Sequence, residues 1–142
     1  MSVFVDTGVF FAHHDTDAER HEQAVTAFDR LLDGAYGQPY TSDYVLDETV
    51  TLTRVRTGSF DAADAVASRI LGEEPYPDVF ETLTVEPDDV RSSLRTFRRY
   101  DDHDLSFTDA TTLWLCESRG IDAVLSFDDD FDGLVERLGS GE

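Results

Sequence analysis

Residues 1–11 read MSVFVDTGVFF, and this stretch decides the fold expected for the rest of the chain. Residues 2–5 are small, β-branched or aromatic, which favours a short buried strand. Asp6 follows this strand directly, and a second apolar segment at residues 9–12 comes after it, where a helix would begin. In open α/β sheets, ligands bind at the carboxyl ends of the strands. Asp6 is therefore either a helix cap or part of a polar site, and the remaining sequence has to distinguish the two.

The length and composition predict one soluble globular domain. The chain has 142 residues, of which 40% are hydrophobic, enough for a full core. It has no apolar run of membrane-spanning length and no signal segment, so we expect a cytoplasmic protein that does not enter a membrane. The single cysteine, Cys116, excludes an internal disulfide framework and a thiolate zinc cluster. We expect one domain over residues 1–138 and a frayed tail over residues 139–142.

The charge balance is strongly acidic. The formal net charge is −20, from 31 acidic and 11 basic residues, and every basic residue is arginine. Such a surface repels itself at low ionic strength, whereas in molar salt the Debye length falls to roughly 3 Å and the repulsion is screened. The composition is similar to that of proteins from extreme halophiles, and we expect salt to stabilise this protein. The acidic composition does not exclude nucleic-acid binding, because salt also screens the repulsion between the acidic surface and phosphates.

Strand-like and helix-like segments alternate along the chain, which predicts an α/β fold. Capping residues and apolar periodicity predict helices over residues 18–32, 42–57, 60–71, 87–100 and 106–119, and a final helical turn near 134–138. Short strands are predicted at residues 2–5, 39–41, 79–85 and 123–126. Because crossovers between parallel strands are right-handed, we expect helices flanking a central, mainly parallel sheet of four to five short strands.

Four of the acidic residues stand in settings unlike ordinary surface. Asp6 follows the first strand, and Asp128 follows the last predicted strand. Glu48 lies in a helix with apolar residues at i−3, i+4 and i+7. Asp109 lies in the first turn of an apolar helix, three residues after Ser106. Each has an ordinary alternative: a helix cap for Asp6, a capping box for Asp109, and acidic surface for the other two.

The four side chains can converge at one edge of the predicted sheet. Two carboxylates roughly 4 Å apart repel by about 4 kcal/mol at an effective dielectric constant of about 20. Hard divalent cations remove this cost, and Mg²⁺ commonly binds one or two carboxylates together with water and substrate phosphate. The reaction that suits such a site is metal-assisted phosphodiester hydrolysis. We therefore expect Mg²⁺ or Mn²⁺ as the cofactor.

Four segments resemble the sequence blocks of PIN-domain nucleases. They are VFVDT at residues 3–7, SDYVLDET at 42–49, LSFTDA at 105–110 and LSFDDDF at 125–131, in the family order. Their spacing is similar to that of the compact VapC-type toxins, which are metal-dependent ribonucleases held inactive by an antitoxin. The resemblance implies a PIN-like three-layer α/β/α fold. It also implies a metal-dependent endoribonuclease that acts on RNA as the toxin of a toxin–antitoxin pair.

The resemblance further implies the site residues and partners. The acidic quartet for metal binding and catalysis matches Asp6, Glu48, Asp109 and Asp128. Asp130 is a rival for the fourth position, and Thr7 matches a hydroxyl residue that helps to orient the first acid. Gly8 departs from the Ser or Asn often found next, which removes a local hydrogen bond but no metal ligand. A homodimer is implied, as is a cognate antitoxin whose tail presents an arginine to the acidic site.

Other interpretations stay open from the sequence. A PIN nuclease that processes RNA or DNA without being a toxin fits the same blocks, and so does a silent PIN-like protein-binding module, although an intact quartet argues against the latter. A small upstream reading frame for a DNA-binding antitoxin would favour the toxin. The four histidines lack metalloprotease spacing and are expected in packing or surface roles. The arginines at residues 91, 95, 98 and 99 either pair with Asp101 and Asp102 or contact phosphate.

Overall fold

The computed structural model describes residues 1–139, in which there are five strands and six α-helices. The strands are β1 (Ser2–Val5), β2 (Gln38–Ser42), β3 (Glu81–Leu83), β4 (Ala123–Leu125) and β5 (Glu136–Leu138). The helices are α1 (Thr7–His14), α2 (His21–Leu32), α3 (Asp43–Thr57), α4 (Phe60–Leu71), α5 (Pro87–Arg99) and α6 (Phe107–Arg119). A short 3₁₀ helix covers Asp129–Phe131.

The five strands pair in parallel in the order β3-β2-β1-β4-β5, which confirms the predicted parallel sheet. β1 is central, since Phe4 pairs with Tyr40 of β2 on one side and with Val124 of β4 on the other. The chain moves outward from β1 to β3 and then returns to β4 and β5 on the far side. The strand order therefore reverses between β1 and β4, and their carboxyl ends border the crevice where such sheets bind ligands.

The helices form two groups. α1 contacts α2, α3 and α4, whereas α5 packs along α6. Because parallel crossovers are right-handed, the outward path to β3 and the return to β4 place the two groups on opposite faces of the sheet. The expected α/β/α layering follows. Within residues 1–139, no helix has both the length and the apolar character needed to cross a membrane.

An apolar core fixes β1 between the two helix layers. Residues 3–5 are fully buried. The ring of Phe10 in α1 packs edge-on against Phe28 and Phe80, with centroids 6.0 and 5.0 Å away. Such aromatic pairs contribute beyond the area they bury. The start of the chain is therefore held rigidly, and with it the residue that follows β1.

An ion pair between a buried carboxylate and a partly exposed guanidinium joins α5 to α6. The carboxylate of Asp89 accepts two hydrogen bonds from the Arg119 guanidinium, at 2.8 and 2.9 Å, and one from Trp114 Nε1 at 2.9 Å. Its Oδ2 also accepts the backbone N–H of Glu86, which completes a capping box at the start of α5. Arg119 holds the pKa of Asp89 well below its usual range. This network fixes the two helices of one layer to each other.

One predicted element is wrong, and another begins later than expected. Residues 134–138 were expected as a helical turn but contain β5, because Leu138 pairs with Leu125 at the free edge of β4. The helix predicted from residue 18 begins at His21, because the preceding segment forms two successive turns. In these turns the Ala18 N–H bonds to the carbonyl of Asp15, and the His21 N–H bonds to the carbonyl of Ala18.

Two smaller expectations also differ. The strand predicted over residues 79–85 is limited to β3, which pairs only with Tyr40 to Ser42 of β2. The expected pairing of the α5 arginines with Asp101 and Asp102 is not present among residues 1–139; Arg91 pairs with Asp88 at 3.1 Å. Gly139 is the last described residue, so most of the expected frayed tail lies outside the described residues.

The histidines of α1 and α2 serve in packing, as expected. His13 stacks on Phe28 with ring centroids 3.7 Å apart. Burial and the Arg69 charge lower the pKa of His13 to about 4. The ring of His21 is hydrogen-bonded through Nδ1 to the carbonyl of Ala12 at 2.8 Å. These rings are therefore tied to the α1–α2 contact.

Candidate active site

A cleft of about 780 Å³ opens at the carboxyl ends of β1 and β4. The four acids singled out from the sequence all line it: Asp6, Glu48, Asp109 and Asp128. They come from the end of β1, the middle of α3, the first turn of α6 and the segment after β4. Asp130 is not among the lining residues. The fold thus brings together four carboxylates that are far apart in the sequence, at the reversal point of the strand order.

Asp6 is held at the floor of the cleft. Its backbone N–H donates to the carbonyl of Leu125 at 3.1 Å, which continues the β1–β4 pairing. The residue is 6% exposed, and its carboxylate accepts a 2.8 Å hydrogen bond from the hydroxyl of Ser126. Asp6 occupies the N-cap position of α1, but its side chain makes no capping hydrogen bond. The helix-cap alternative therefore does not account for this carboxylate.

Ser126 is the site residue that sequence reasoning missed. Its Oγ donates to Asp6 and accepts the backbone N–H of Asp128 at 3.0 Å, so one hydroxyl links two of the acids. The hydroxyl of Thr7, expected to orient Asp6, is buried and has no hydrogen-bond partner within residues 1–139. A Cβ added at Gly8 would meet no atom within 4 Å, so the absent side chain leaves open space beside the cleft.

Asp109 is both a capping residue and part of the cleft. Its Oδ2 accepts the backbone N–H of Ser106 at 3.0 Å, while its own N–H donates to Ser106 Oγ at 3.0 Å. This is the capping box that the spacing allowed. The side chain is 7% exposed and still lines the cleft. The cap therefore positions this carboxylate without removing it from the site.

Glu48 and Asp128 border the cleft from two sides. α3 buries Val45 and Thr49, so Glu48 lies beside the buried face; Val55 is 74% exposed and does not belong to that face, contrary to expectation. Asp128 accepts the backbone N–H of Asp130 at 2.9 Å, which starts the 3₁₀ helix. The carboxylates of residues 128–130 each place an oxygen within 4.8 Å of the others. Of the two rivals for the fourth position, Asp128 is the one in the cleft.

Burial and mutual repulsion disfavour ionisation of the two innermost acids. Burial raises the pKa of Asp6 to about 7, and the nearby charges of Asp109 and Glu48 add to this rise. Burial likewise raises the pKa of Asp109 to about 6, with added repulsion from Asp128 and Glu48. The four acids therefore behave as one electrostatic group. Such a group needs a positive charge to be fully ionised at neutral pH.

The donor set fits a hard divalent cation. The lining residues of the cleft include carboxylates and hydroxyls but no histidine or cysteine from the described part of the chain. Arg20 and Arg56 also line it, yet neither forms an ion pair with the four acids in residues 1–139. None of the four carboxylates therefore has an ion-pair partner in the described part of the chain. Carboxylate oxygens of this kind suit Mg²⁺ or Mn²⁺.

Asp6→Asn is expected to gain thermal stability relative to the wild type as the pH rises, when divalent ions are removed. The unfolded chain loses the Asp6 proton near pH 3.8, whereas the folded protein keeps it to about pH 7. The resulting stabilisation is complete below pH 3.8 and is lost as the pH rises through 7, by a few kcal/mol at most. Melting temperatures of both proteins in EDTA across this range test the difference.

Asp6→Asn has to be compared with the wild type because His13 changes the stability of both proteins with pH in the opposite direction to Asp6. The lowered pKa of His13 gives a stabilisation that grows between about pH 4 and 6.5, equally in both proteins. A constant difference in melting temperature across the pH range would contradict the raised pKa of Asp6. Added Mg²⁺ should raise the melting temperature of the wild type only, since it favours the ionised carboxylates.

Comparison with known proteins agrees with this geometry. A family model for the PIN domain matches residues 3–136. The chain therefore belongs to the PIN domain family, which confirms the resemblance that the four sequence blocks indicated.

The relatives include VapC proteins in sequence and in structure. The chain is 32% identical over 136 residues to the 23S rRNA-specific endonuclease VapC20 of Mycobacterium tuberculosis, covering 94% of this chain and 96% of that protein. The crystal structure of VapC20, described as a sarcin-ricin loop cleaving toxin, superposes with a TM-score of 0.78 over 94% of this chain and 97% of that one. A VapC ribonuclease of Archaeoglobus fulgidus is 24% identical over 92% of this chain and 80% of its own length. These names agree with the nuclease activity predicted from the sequence.

A more distant structure shares the fold. VapBC2 of Rickettsia felis, solved bound to a DNA fragment from its promoter, superposes with a TM-score of 0.68 at 10% identity, over 97% of this chain and 98% of that one. At this identity the likeness concerns the fold alone. It supports the PIN-like α/β/α architecture and adds nothing on the substrate.

Proposed function

We propose that this protein is a metal-dependent endoribonuclease and the toxin of a toxin–antitoxin pair, acting in the cytoplasm. The observation that carries the proposal is the meeting of four carboxylates in one cleft of a PIN-domain chain. VapC20, at 32% identity, is named as an enzyme specific for 23S rRNA. We therefore propose an exposed loop of ribosomal RNA as the substrate class.

In this proposal Asp6 and Asp109 are the principal ligands of an Mg²⁺ or Mn²⁺ ion, because they are the most buried of the four acids. Glu48 and Asp128, which are half-buried, complete the site or orient the attacking water. A divalent ion held by these groups supplies an activated water and stabilises the leaving oxygen of the phosphodiester. Mg²⁺ and Mn²⁺ share the preference for oxygen ligands on which this assignment rests.

The chain's own contribution is to hold the carboxylates in place before substrate arrives. Ser126 fixes the spacing between Asp6 and Asp128 through its two hydrogen bonds. Ser106 fixes Asp109 through the capping box. Groups held in this way need little reorganisation when charge develops in the transition state, which is where preorganised sites gain most of their rate. These hydrogen bonds would hold the carboxylates in the arrangement that a divalent ion requires.

The partners proposed are a cognate antitoxin and a second copy of the chain. Solved neighbours of this fold include a toxin–antitoxin complex from Klebsiella pneumoniae, at 15% identity. This chain also exposes large apolar side chains at the junction of α3 and α4, where Val55 is 74% and Phe60 is 66% exposed. We propose that these two residues belong to the surface that contacts a partner protein. An antitoxin arginine that reached the cleft would compensate the same carboxylates as the ion.

The experiment is a cleavage assay in molar KCl with Mg²⁺, with Mn²⁺ or with EDTA. The substrates are a hairpin carrying the sarcin–ricin loop sequence of the host, a set of tRNAs and duplex DNA. Wild-type protein is expected to cut RNA at a defined position only when the divalent ion is present, and Asp6→Asn is expected not to cut. Cleavage that is insensitive to EDTA, or no cleavage of any RNA, would contradict the proposal.

A further inference from the structure

Arg20 and Phe127 form a basic–aromatic pair on the wall of the cleft. The guanidinium carbon of Arg20 lies 5.4 Å from the centroid of the Phe127 ring, and both residues line the cleft. Although the net charge of the chain is −20, the Arg20 side chain makes no hydrogen bond or ion pair in residues 1–139. The ring, and not a carboxylate, therefore holds this guanidinium.

The Phe127 ring has a defined position next to the acids. Phe127 lies between Ser126 and Asp128, which are joined by the 3.0 Å hydrogen bond from the Asp128 N–H to Ser126 Oγ. The carbonyl of Ser126 also accepts a hydrogen bond from Arg137 at 3.1 Å. The ring itself packs partly against the core. The backbone on both sides of the ring is thus fixed, and the ring stays beside the carboxylates.

The pair also separates the cleft from a second depression of about 430 Å³. Arg20, Phe127 and Asp128 line both cavities, and Arg137 lines the second. The Arg137 guanidinium is already held by Asp132 through two hydrogen bonds, with Nε 2.6 Å from Oδ1. Arg20 lines both cavities, whereas Arg56 lines only the first and Arg137 only the second, so Arg20 is placed to meet a chain that passes from one cavity to the other.

We propose that Arg20 and Phe127 form a nucleotide subsite that binds an unpaired nucleotide of the RNA next to the phosphate that is cut. This inference rests on the proposed function. A guanidinium lying over an aromatic ring offers a flat surface for a base and a charge for the adjoining phosphate. Proteins that read RNA mostly bind unpaired bases in loops and bulges, because bases within a helix remain stacked. The subsite therefore selects looped RNA over duplex.

Arg20 and Phe127 contribute to RNA binding through interactions that differ in their dependence on salt. A phosphate contact weakens as salt rises, by roughly 0.7 log units of affinity per log unit of salt for each phosphate on a single strand. Stacking of a base on an aromatic side chain does not depend on charge and persists in molar salt. Arg20 should therefore matter most at low salt, and Phe127 at every salt concentration.

The test measures binding of a fluorescein-labelled, short single-stranded RNA and of its duplex by anisotropy, at low and at molar KCl with Mg²⁺. All proteins carry Asp109→Asn so that the RNA is not cut. The variants are Arg20→Gln and Phe127→Leu, with Phe127→Tyr to keep the ring. The matched control is Arg54→Gln, since Arg54 is an exposed arginine of α3 that lies outside the cleft.

Arg20→Gln is expected to weaken single-strand binding roughly tenfold at low salt and to reduce the salt slope by about 0.7. Phe127→Leu should weaken it by roughly tenfold at both salt concentrations, whereas Phe127→Tyr and Arg54→Gln should bind as the parent does. Melting temperatures show whether each variant is folded; if Phe127→Leu is not, the Arg20→Gln and Phe127→Tyr results decide.

Several results would overturn the subsite. They are binding by Arg20→Gln as tight as by the parent, a loss in Arg54→Gln equal to that in Arg20→Gln, or duplex bound as tightly as single strand. In the first case the pair would be left for contact with a protein partner. A wild-type protein that cuts RNA while these variants bind normally would remove the subsite and keep the proposed function. If unpaired RNA binds through Arg20 but the wild type does not cut it, the subsite is kept and the proposed function is contradicted.

Discussion

Asp109→Asn is expected to abolish RNA cleavage while the metal-free protein stays as stable as the wild type or becomes more stable. An amide oxygen can still accept the backbone N–H of Ser106, so the capping box at the start of α6 is kept. The substitution removes one of the crowded charges, and relief of repulsion from Asp128 and Glu48 amounts to a few kcal/mol at most. Because groups that merely support a metal ligand already matter 10- to 100-fold, we expect a loss of at least about 100-fold in cleavage rate.

The matched control is Asp101→Asn, the same change at an exposed residue of the loop between α5 and α6. It should cut RNA at the wild-type rate. Cleavage rates with Mg²⁺ and melting temperatures in EDTA are the two measurements. If Asp109→Asn cuts RNA normally and loses about 1 kcal/mol of stability, Asp109 acts as a cap only. The main argument for a nuclease site in this cleft would then be lost.

Asp89→Ala is expected to lower the free energy of unfolding by about 3 kcal/mol, a large effect for a polar residue outside the cleft. The variant leaves the Arg119 guanidinium and the Trp114 Nε1–H without their acceptor. Removing one partner of a buried ion pair costs about 3–5 kcal/mol. We expect the lower value because Arg119 keeps 34% of its side chain exposed, and water can solvate part of its charge. Denaturation by urea in molar KCl measures the difference.

The neighbouring residue provides the control. Asp88 pairs with Arg91, but their side chains are 98% and 72% exposed, and such surface pairs contribute little. Asp88→Ala should therefore unfold as the wild type does. Because the pKa of Asp89 lies below its usual range, its contribution is present above the ordinary value of 3.8 and is lost as the pH falls below it. Similar losses in the two variants, or no dependence on acid, would contradict this role.

The parts of the fold that local sequence determines could be predicted. The continuous apolar run of β1 indicates a strand buried on both faces, as is typical of the central strand of a parallel sheet. Ser42, Ser59 and Ser106 cap α3, α4 and α6 as expected, because an N-cap hydroxyl acts on N–H groups within its own turn. The position of the acidic cleft followed from strand ends that meet at one edge.

The parts that depend on distant contacts could not be predicted. Leu134, Val135 and Leu138 fit a helical turn, and only pairing with β4 makes this segment a strand. Ser126 shows no local signal for its role, since its hydroxyl acts on a carboxylate that lies 120 residues earlier in the chain. Asp128 and Asp130 likewise have similar local sequence, and only the folded structure shows that Asp128 lines the cleft and Asp130 does not.

The central place of β1 has a consequence for how the protein is made. β1 leaves the ribosome before every other strand, yet its two links to the region of β4, Ser2 with Asp122 and Asp6 with Ser126, each span 120 residues. Contacts this far apart form late, after the intervening chain has been synthesised. The cleft is therefore absent from the growing chain until β4 emerges. A nuclease whose acids meet only when β4 pairs with β1 would in this way stay inactive during most of its own translation.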